Sequence, residues 1–117
     1  HFSQLGMVAV AAQYRLPDQS TVTPIEAMAD ARAVIRWMRQ EAAELGIDPK
    51  RIAAYGWSAG AHLAASAAIF PDGTPGASVR SEPDALILVS PAVSLESDAW
   101  VQRLLGQRRF STCGHRP

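Results

Sequence analysis

Several features that would place a protein in a broad class are scarce in this chain of 117 residues. Cys113 is the only cysteine, which excludes an internal disulfide and leaves the redox compartment undecided. Lys and Arg total 11, as do Asp and Glu, so the chain lacks the basic excess of a nucleic-acid-binding protein. No apolar run approaches the roughly 18 residues of a membrane span. These absences leave an ordinary globular protein of one domain at most.

A Gly-x-Ser-x-Gly motif from Gly56 to Gly60 is the most informative feature that is present. An apolar run over residues 51–57 predicts a buried strand before it, and residues 59–70 predict a helix after it. A serine between a strand and a helix is what a nucleophile elbow requires, so we predict that Ser58 is a nucleophile. The two glycines are expected to relieve crowding at the turn. The plainer alternative is a small-residue turn without chemistry.

Alternation of strands and helices organises the remaining chain. Residues 5–14 are mostly apolar and predict a strand buried on both faces. Residues 85–90 predict a third strand, a weaker helical pattern covers residues 97–105, and residues 71–83 are expected to form a surface loop. Such alternation predicts an α/β fold, in which helices flank a parallel sheet. We expect a domain over residues 1–105 and an irregular tail over residues 106–117.

A long helix is predicted between the first two strands. Thr23 is expected to cap it, with Pro24 at its first position and Glu26 completing a capping box. Gly46 is the expected C-terminal stop, because glycine readily adopts the left-handed conformation that ends helices. Apolar residues recur at helical spacing and predict one buried stripe, formed by Ile25, Met28, Ile35, Met38, Ala42 and Leu45.

The order of several short motifs resembles that of the α/β-hydrolase superfamily. It is most similar to the carboxylesterase branch that holds acetyl esterases, acetylxylan and feruloyl esterases and hormone-sensitive-lipase-like enzymes. The resemblance covers residues 1–106 and is most specific at the elbow. The motifs that carry it are Tyr14-Arg15-Leu16, Asp30-Ala31, Gly46-Ile47-Asp48-Pro49, Gly56-Trp57-Ser58-Ala59-Gly60-Ala61-His62-Leu63-Ala64 and Ser90-Pro91.

This resemblance implies a partial α/β-hydrolase fold and hydrolysis of small carboxylic esters through an acyl-enzyme, without a cofactor or metal. Ser58 would attack the ester carbonyl, and the Ala59 backbone N–H would be one oxyanion donor. A His-Gly-Gly loop would supply the other donor, from before His1. The acid and the histidine of the triad would follow Pro117. We therefore expect an internal fragment of a longer enzyme, in which the strand that separates residues 5–14 from residues 51–57 is missing.

Residues within the chain offer weaker substitutes for the missing partners. His62 lies one helical turn after Ser58 and is expected to pack or hydrogen-bond against the elbow rather than act as the base. Asp98 with His115 has the triad's chain order, and Glu96 is equally available as the acid, but the intervening segment is short. Cys113 and His115 lack further ligands, so a metal site is not expected.

Two further assignments are structural. Asp30 is expected to pair with Arg15, and Trp37 and Trp57 are expected to be packing residues. The resemblance leaves open a prolyl-oligopeptidase-like peptidase or a lipase on the same fold, and a non-catalytic relative that serves as an interaction module. Substrate specificity, oligomeric state and compartment are not determined by the sequence.

Overall fold

The computed structural model describes residues 2–16, 24–70 and 78–91. Predictions for Thr23 and for residues 71–77 lie outside these ranges, as do those for everything after Pro91. The described ranges form a short 3₁₀ helix (Ser3–Leu5) followed by α1 (Pro24–Gln40), α2 (Ala42–Leu45), β1 (Ala53–Trp57), α3 (Ala59–Ile69) and β2 (Ala85–Val89).

The two strands form a parallel pair. Ala53 lies opposite Ala85 and Trp57 lies opposite Val89, in an uninterrupted register. Helix α3 runs between the two strands in sequence, as a parallel connection requires, and it packs against both. This arrangement confirms the predicted α/β class with parallel strands flanked by helices. The predicted strands over residues 51–57 and 85–90 are present as Ala53–Trp57 and Ala85–Val89. The expectation that the first strand is buried is wrong within the described ranges, because only Gly56 of β1 is buried and α3 covers just one face of the two-stranded sheet.

Small side chains allow helix α3 to approach the sheet closely. Ala61, Ala64 and Ala67 are buried, together with Leu63. Burial of one leucine side chain contributes about 1.5–3 kcal/mol, and each alanine contributes less but keeps the helix near the strands. Helix α3 also contacts α1, so the core lies where the two helices meet the sheet.

Helix α1 begins at Pro24, the predicted first position, but it does not continue unbroken to Leu45. Glu41 leaves helical geometry (φ −94°, ψ 16°) and divides the predicted helix into α1 and α2. The hydrogen bonding nevertheless runs across the break, because Glu41 N–H donates to Trp37 and Leu45 N–H donates to Glu41.

The predicted stop at Gly46 is confirmed. Gly46 is left-handed (φ 67°), and its N–H donates to the Ala43 carbonyl oxygen at 3.3 Å. Ile47 N–H reaches back to the Ala42 carbonyl oxygen at 3.0 Å. These two bonds form a Schellman motif, which satisfies carbonyl groups that the helix end would otherwise leave unpaired.

The predicted apolar stripe is only partly buried. Ile35 and Ala42 are buried, whereas Met28, Met38 and Leu45 are half-buried. Ile25 is 53% exposed, which contradicts its place in a buried stripe. It lies in the first turn of α1, and the helix buries Ala27 there instead.

The prediction of a strand over residues 5–14 is wrong for this structure. Its first residue belongs to the 3₁₀ helix, and no strand is formed up to residue 16. A strand needs a neighbour to accept and donate its backbone hydrogen bonds, and β1 and β2 pair only with each other within the described ranges. Its apolar side chains stay exposed, among them Leu5, Met7, Val8 and Val10.

Arg39 holds the C-terminal part of α1 to the loop that precedes β2. Its side chain is only 8% exposed. The guanidinium donates to backbone carbonyl oxygens of Pro49, Arg80 and Glu82, and its Nη1 lies 3.1 Å from Asp84 Oδ2. One buried cation therefore joins three segments that are distant in sequence.

Asp84 continues this network to the start of β1. Its backbone N–H donates to the Ile52 carbonyl oxygen at 2.7 Å, and Ile52 N–H donates to Asp84 Oδ2 at 2.9 Å. Arg80 Nη2 lies 2.8 Å from the other carboxylate oxygen. Partial burial alone would raise the pKa of Asp84, but the hydrogen bonds from Ile52, Arg39 and Arg80 outweigh it and lower the pKa. The amino ends of both strands are thus fixed together.

Candidate active site

Ser58 occupies the turn between β1 and α3, at the carboxyl end of the sheet. Its backbone has φ 54° and ψ −115°, a conformation that non-glycine residues rarely adopt. The side chain is exposed. Such strain persists only where the surroundings impose it, and it is concentrated at functional sites.

Gly56 is required by the close approach of α3 to β1. A Cβ atom added there would lie 2.2 Å from the Gly60 carbonyl oxygen and 2.4 Å from the Ala61 nitrogen. Both are backbone atoms, so the clash could not be relieved by a rotamer change. Any side chain at this position would push the helix away from the strand that carries Ser58.

Gly60 differs from Gly56, although both were expected to relieve crowding. A Cβ atom added to Gly60 meets no described atom within 4 Å. Its backbone is helical and its φ is not positive. Of the two glycines in the motif, Gly56 is therefore the one that the described structure requires, because α3 crosses β1 there.

Two backbone hydrogen bonds fix the elbow. Ser58 N–H donates to the Val89 carbonyl oxygen at 3.0 Å, which extends the β1–β2 ladder past the end of β1. The Ser58 carbonyl oxygen accepts from His62 N–H at 3.1 Å, which starts helix α3. Ala59 is the first residue of that helix. Its N–H is among those that a helix leaves without an intrahelical acceptor, which suits the role of an oxyanion donor.

His62 takes part in the framework of the elbow. The His62 N–H donates to the Ser58 carbonyl oxygen, and the His62 carbonyl oxygen accepts a hydrogen bond from Ser66 Oγ at 2.8 Å. The residue is half-buried on α3. Its backbone bond to Ser58 is the ordinary i to i−4 bond of a helix, so the expectation that the His62 side chain packs or hydrogen-bonds against the elbow stays a prediction.

Asp30 pairs with Arg15, as predicted. Arg15 Nη2 lies 2.9 Å from Asp30 Oδ1, Nε lies 3.0 Å from Oδ2, and the Arg15 backbone N–H donates to Oδ2 at 2.9 Å. The side-chain bonds first, and then the backbone bond, lower the pKa of Asp30 against a small opposing effect of burial. The pair anchors the end of residues 2–16 to α1.

The two tryptophans are not packed as expected. Trp57 is 69% exposed and Trp37 is 45% exposed. Side chains alternate along a strand, so the contact of Gly56 with α3 places Trp57 on the opposite face of the sheet. Tyr55 shares that face and meets the Phe2 ring edge-on at 5.4 Å between centroids. Trp37 lines an open groove between α1 and residues 10–13.

The other candidate residues cannot be placed. Asp98, Glu96, Cys113 and His115 lie outside the described residues. Within the described ranges, no three potential metal ligands come together. No helix there has both the length and the apolar character needed to cross a bilayer.

Sequence reasoning missed two residues that fix the amino ends of the strands and one that borders the elbow. The hydrogen-bond partners of Arg39 and Asp84 could not be predicted from sequence patterns. A single charged residue on a helix, or just before a strand, is usually solvated. Ser90 was seen only as the end of a strand before Pro91. Its φ of 48° could not be anticipated, since the residue before a proline favours an extended backbone.

A parallel strand pair with a strained serine between β1 and α3 defines the class of protein as an α/β hydrolase. Comparisons with known proteins agree with this class and identify the family within it. The chain belongs to the BD-FAE family, whose model matches residues 1–82. That range includes β1, the elbow and α3.

Individual relatives point to esterases. The chain is 35% identical over 72 residues to "Probable carboxylic ester hydrolase LipM" of Mycobacterium tuberculosis, covering 62% of this chain. Esterase 2 of Thermogutta terrifontis, phosphonylated by sarin, matches with a TM-score of 0.70 and 37% identity over 80% of this chain. Structures of that esterase with bound propionate and butyrate also match. A non-reducing polyketide synthase of Emericella nidulans, pkbA, is 32% identical over 111 residues.

The chain is much shorter than these relatives. It spans 16% of LipM, 4% of the polyketide synthase and 38% of esterase 2. LipM and esterase 2 are named for the hydrolysis of carboxylic esters, an activity that is theirs as longer proteins.

Proposed function

We propose that this chain carries the nucleophile of a serine esterase that cleaves small carboxylic esters. The observation that carries the proposal is the backbone of Ser58, which is left-handed, exposed and placed between a strand and a helix. The close approach that excludes a side chain at Gly56 holds that geometry. A turn without chemistry has no need of such strain.

The proposed reaction proceeds through an acyl-enzyme. Ser58 Oγ attacks the ester carbonyl carbon while a base accepts the hydroxyl proton, and the Ala59 N–H donates to the oxygen that becomes negatively charged. The base returns the proton to the departing alcohol. Water then attacks the acyl group, which releases the carboxylic acid and restores Ser58.

Short acyl groups are the proposed substrates. Propionate and butyrate are bound in structures of the Thermogutta esterase, which matches 80% of this chain. Phosphonylation of that esterase by sarin is the chemistry expected of an activated nucleophile. The alcohol half of the substrate, which could be linked to a sugar, is left to experiment.

The described residues supply only part of the catalytic machinery. Ser58 and the Ala59 N–H are assigned, and we propose that the base, its carboxylate partner and the second oxyanion donor come from other parts of the full-length protein. Because triad members act as a unit, the 117-residue chain alone should not be a competent esterase.

Hydrolysis of p-nitrophenyl butyrate by the full-length protein tests the proposal. Ser58→Ala should abolish turnover. Ser66→Ala is the matched control, because Ser66 is a buried serine on α3, the helix that follows Ser58, and its hydroxyl donates to the His62 carbonyl oxygen of the same helix. Full activity in Ser58→Ala would contradict the proposal. Cleavage of a p-nitroanilide in preference to the ester would favour a peptidase, and absence of both activities would favour a non-catalytic relative.

A further inference from the structure

Ser90 is the second described serine with a left-handed backbone. It directly follows β2, has φ 48° and is exposed. Pro91 comes next, and a residue before proline favours an extended backbone. Ser90 therefore adopts a conformation that neither its own side chain nor its neighbour prefers.

Ser90 lies beside Ser58 at the carboxyl edge of the sheet. Trp57 and Val89 are opposite each other in the parallel register, so the next residues along the two strands are Ser58 and Ser90. The Val89 carbonyl, which belongs to the peptide bond that continues into Ser90, accepts the Ser58 N–H at 3.0 Å. Adjacent strands are about 4.8 Å apart. The backbone of Ser90 therefore lies about one strand spacing from that of Ser58, at the edge of the sheet where a group bound covalently to Ser58 would be held.

Within the part of the chain that the structure describes, no packing contact accounts for the strained backbone of Ser90. The residue is exposed, so its conformation does not fill a core. Serine rather than glycine occupies a position where glycine would adopt the same φ without steric cost. An unfavourable backbone at the carboxyl ends of parallel strands, where ligands bind in open α/β sheets, indicates a role for the side chain.

We propose that Ser90 is a substrate-binding residue whose hydroxyl donates a hydrogen bond to an oxygen of the ester held at Ser58. This inference rests on the proposed function of Ser58. The oxygen recognised is a substituent next to the reacting carbonyl, on the acyl or the alcohol half. Ser90 thereby favours oxygen-bearing esters over hydrocarbon esters of the same size.

Pairs of isosteric esters test the proposal with the full-length protein. For the acyl half, p-nitrophenyl methoxyacetate is compared with p-nitrophenyl butyrate, which replaces one ether oxygen by a methylene group. For the alcohol half, 2-methoxyethyl butyrate is compared with butyl butyrate, which likewise replaces one ether oxygen by a methylene group. For each pair, the kcat/KM of the oxygen-bearing ester is divided by that of the hydrocarbon ester. The two esters differ in intrinsic reactivity, but that difference is the same for wild type and variant and cancels when their ratios are compared.

Two substitutions separate the effect of the Ser90 hydroxyl from the effect of the Ser90 backbone conformation. Ser90→Ala removes the hydroxyl, and Ser90→Gly removes it and also relieves the backbone strain. Both should lower the preference for the oxygen-bearing ester by about two- to tenfold in one of the two pairs, which is the range of a net hydrogen bond. Only Ser90→Gly should raise the melting temperature. Both variants should still be labelled at Ser58 by a fluorophosphonate, which would show that the elbow is intact.

Three outcomes decide the matter. Unchanged ratios in both pairs, in a protein that Ser58→Ala inactivates, overturn the role of Ser90 and leave the proposed function standing. An equal loss for all four esters, with slower labelling of Ser58, also overturns it, because Ser90 would then act through the elbow. Full hydrolysis by Ser58→Ala overturns the proposed function and this inference together.

Discussion

Replacement of Gly56 by alanine is the perturbation whose effect the structure defines best. The added Cβ would lie 2.2 Å from the Gly60 carbonyl oxygen, about 0.8 Å inside the 3.0 Å below which Cβ contacts are essentially never found. Relief therefore requires α3 to move away from β1 by about that distance. Overpacking of this kind costs about 1–3 kcal/mol, and we expect the upper end because the opposing atoms are backbone.

The same movement should disturb chemistry at the elbow. Ser58 is held by β1 on one side and by the first turn of α3 on the other. A misplacement of about 1 Å can lower the rate about 100-fold, so labelling of Ser58 by a fluorophosphonate should fall to that extent in Gly56→Ala. Gly60→Ala is the matched control. It meets no described atom, and alanine favours a helix over glycine by about 1 kcal/mol.

Urea unfolding and labelling kinetics of the two variants form the assay. Gly56→Ala should lower the unfolding midpoint and the labelling rate, whereas Gly60→Ala should preserve or raise the midpoint. Equal decreases of the unfolding midpoint and the labelling rate in the two variants would refute the reasoning. Such a result would show that the close contact of α3 with β1 at Gly56 is not what requires glycine in the motif.

Three other predictions concern stability and activity. Asp84→Asn should cost about 1 kcal/mol near neutral pH, because Asp84 bonds to Ile52 and pairs with Arg39. The lowered pKa of Asp84 means that its contribution is complete above its unfolded pKa, about 3.9, and is lost as the pH falls through its folded pKa. Urea midpoints are measured from pH 6 to about pH 2, a range that roughly spans that pKa. The midpoint should fall less steeply with decreasing pH in Asp84→Asn than in the wild type. Parallel plots of midpoint against pH would contradict this expectation. Thr23→Ala should cost about 1 kcal/mol if Thr23 caps α1, and a neutral result in urea unfolding would place the cap elsewhere. The 117-residue chain alone should not turn over p-nitrophenyl butyrate, and turnover that needs both Ser58 and His115 would instead support the pairing of Asp98 with His115.

Local patterns predicted the elements whose hydrogen bonds are made nearby. Helix α1 begins at Pro24, Gly46 ends α2 in a left-handed turn, and the strand–serine–helix sequence produces the elbow. Each of these depends on a few neighbouring residues, so the sequence contains the necessary information. The chemistry of Ser58 stays a prediction, since geometry alone does not measure reactivity.

Elements that depend on distant partners could not be predicted in this way. Residues 5–14 have the composition of a buried strand, but an apolar run forms a strand only where a neighbour supplies hydrogen bonds. The exposure of Trp37 and Trp57 has a related cause, because a large apolar side chain is buried only where another element covers it. Arg39 likewise became informative only once its carbonyl partners were known.

The difference between Gly56 and Gly60 has the same origin. Both occupy equivalent places in the motif, and sequence alone treats them alike. The close crossing of α3 over β1 distinguishes them, because it brings the Gly60 backbone against the Gly56 Cα.

Mapping of the covalent adduct tests the central claim most directly. The full-length protein is treated with a fluorophosphonate, its intact mass is measured, and the modified peptide is sequenced by mass spectrometry. We predict one adduct per chain, located on Ser58, and none in Ser58→Ala. An adduct on another residue, or an undiminished adduct in Ser58→Ala, would contradict the assignment of Ser58 as the nucleophile.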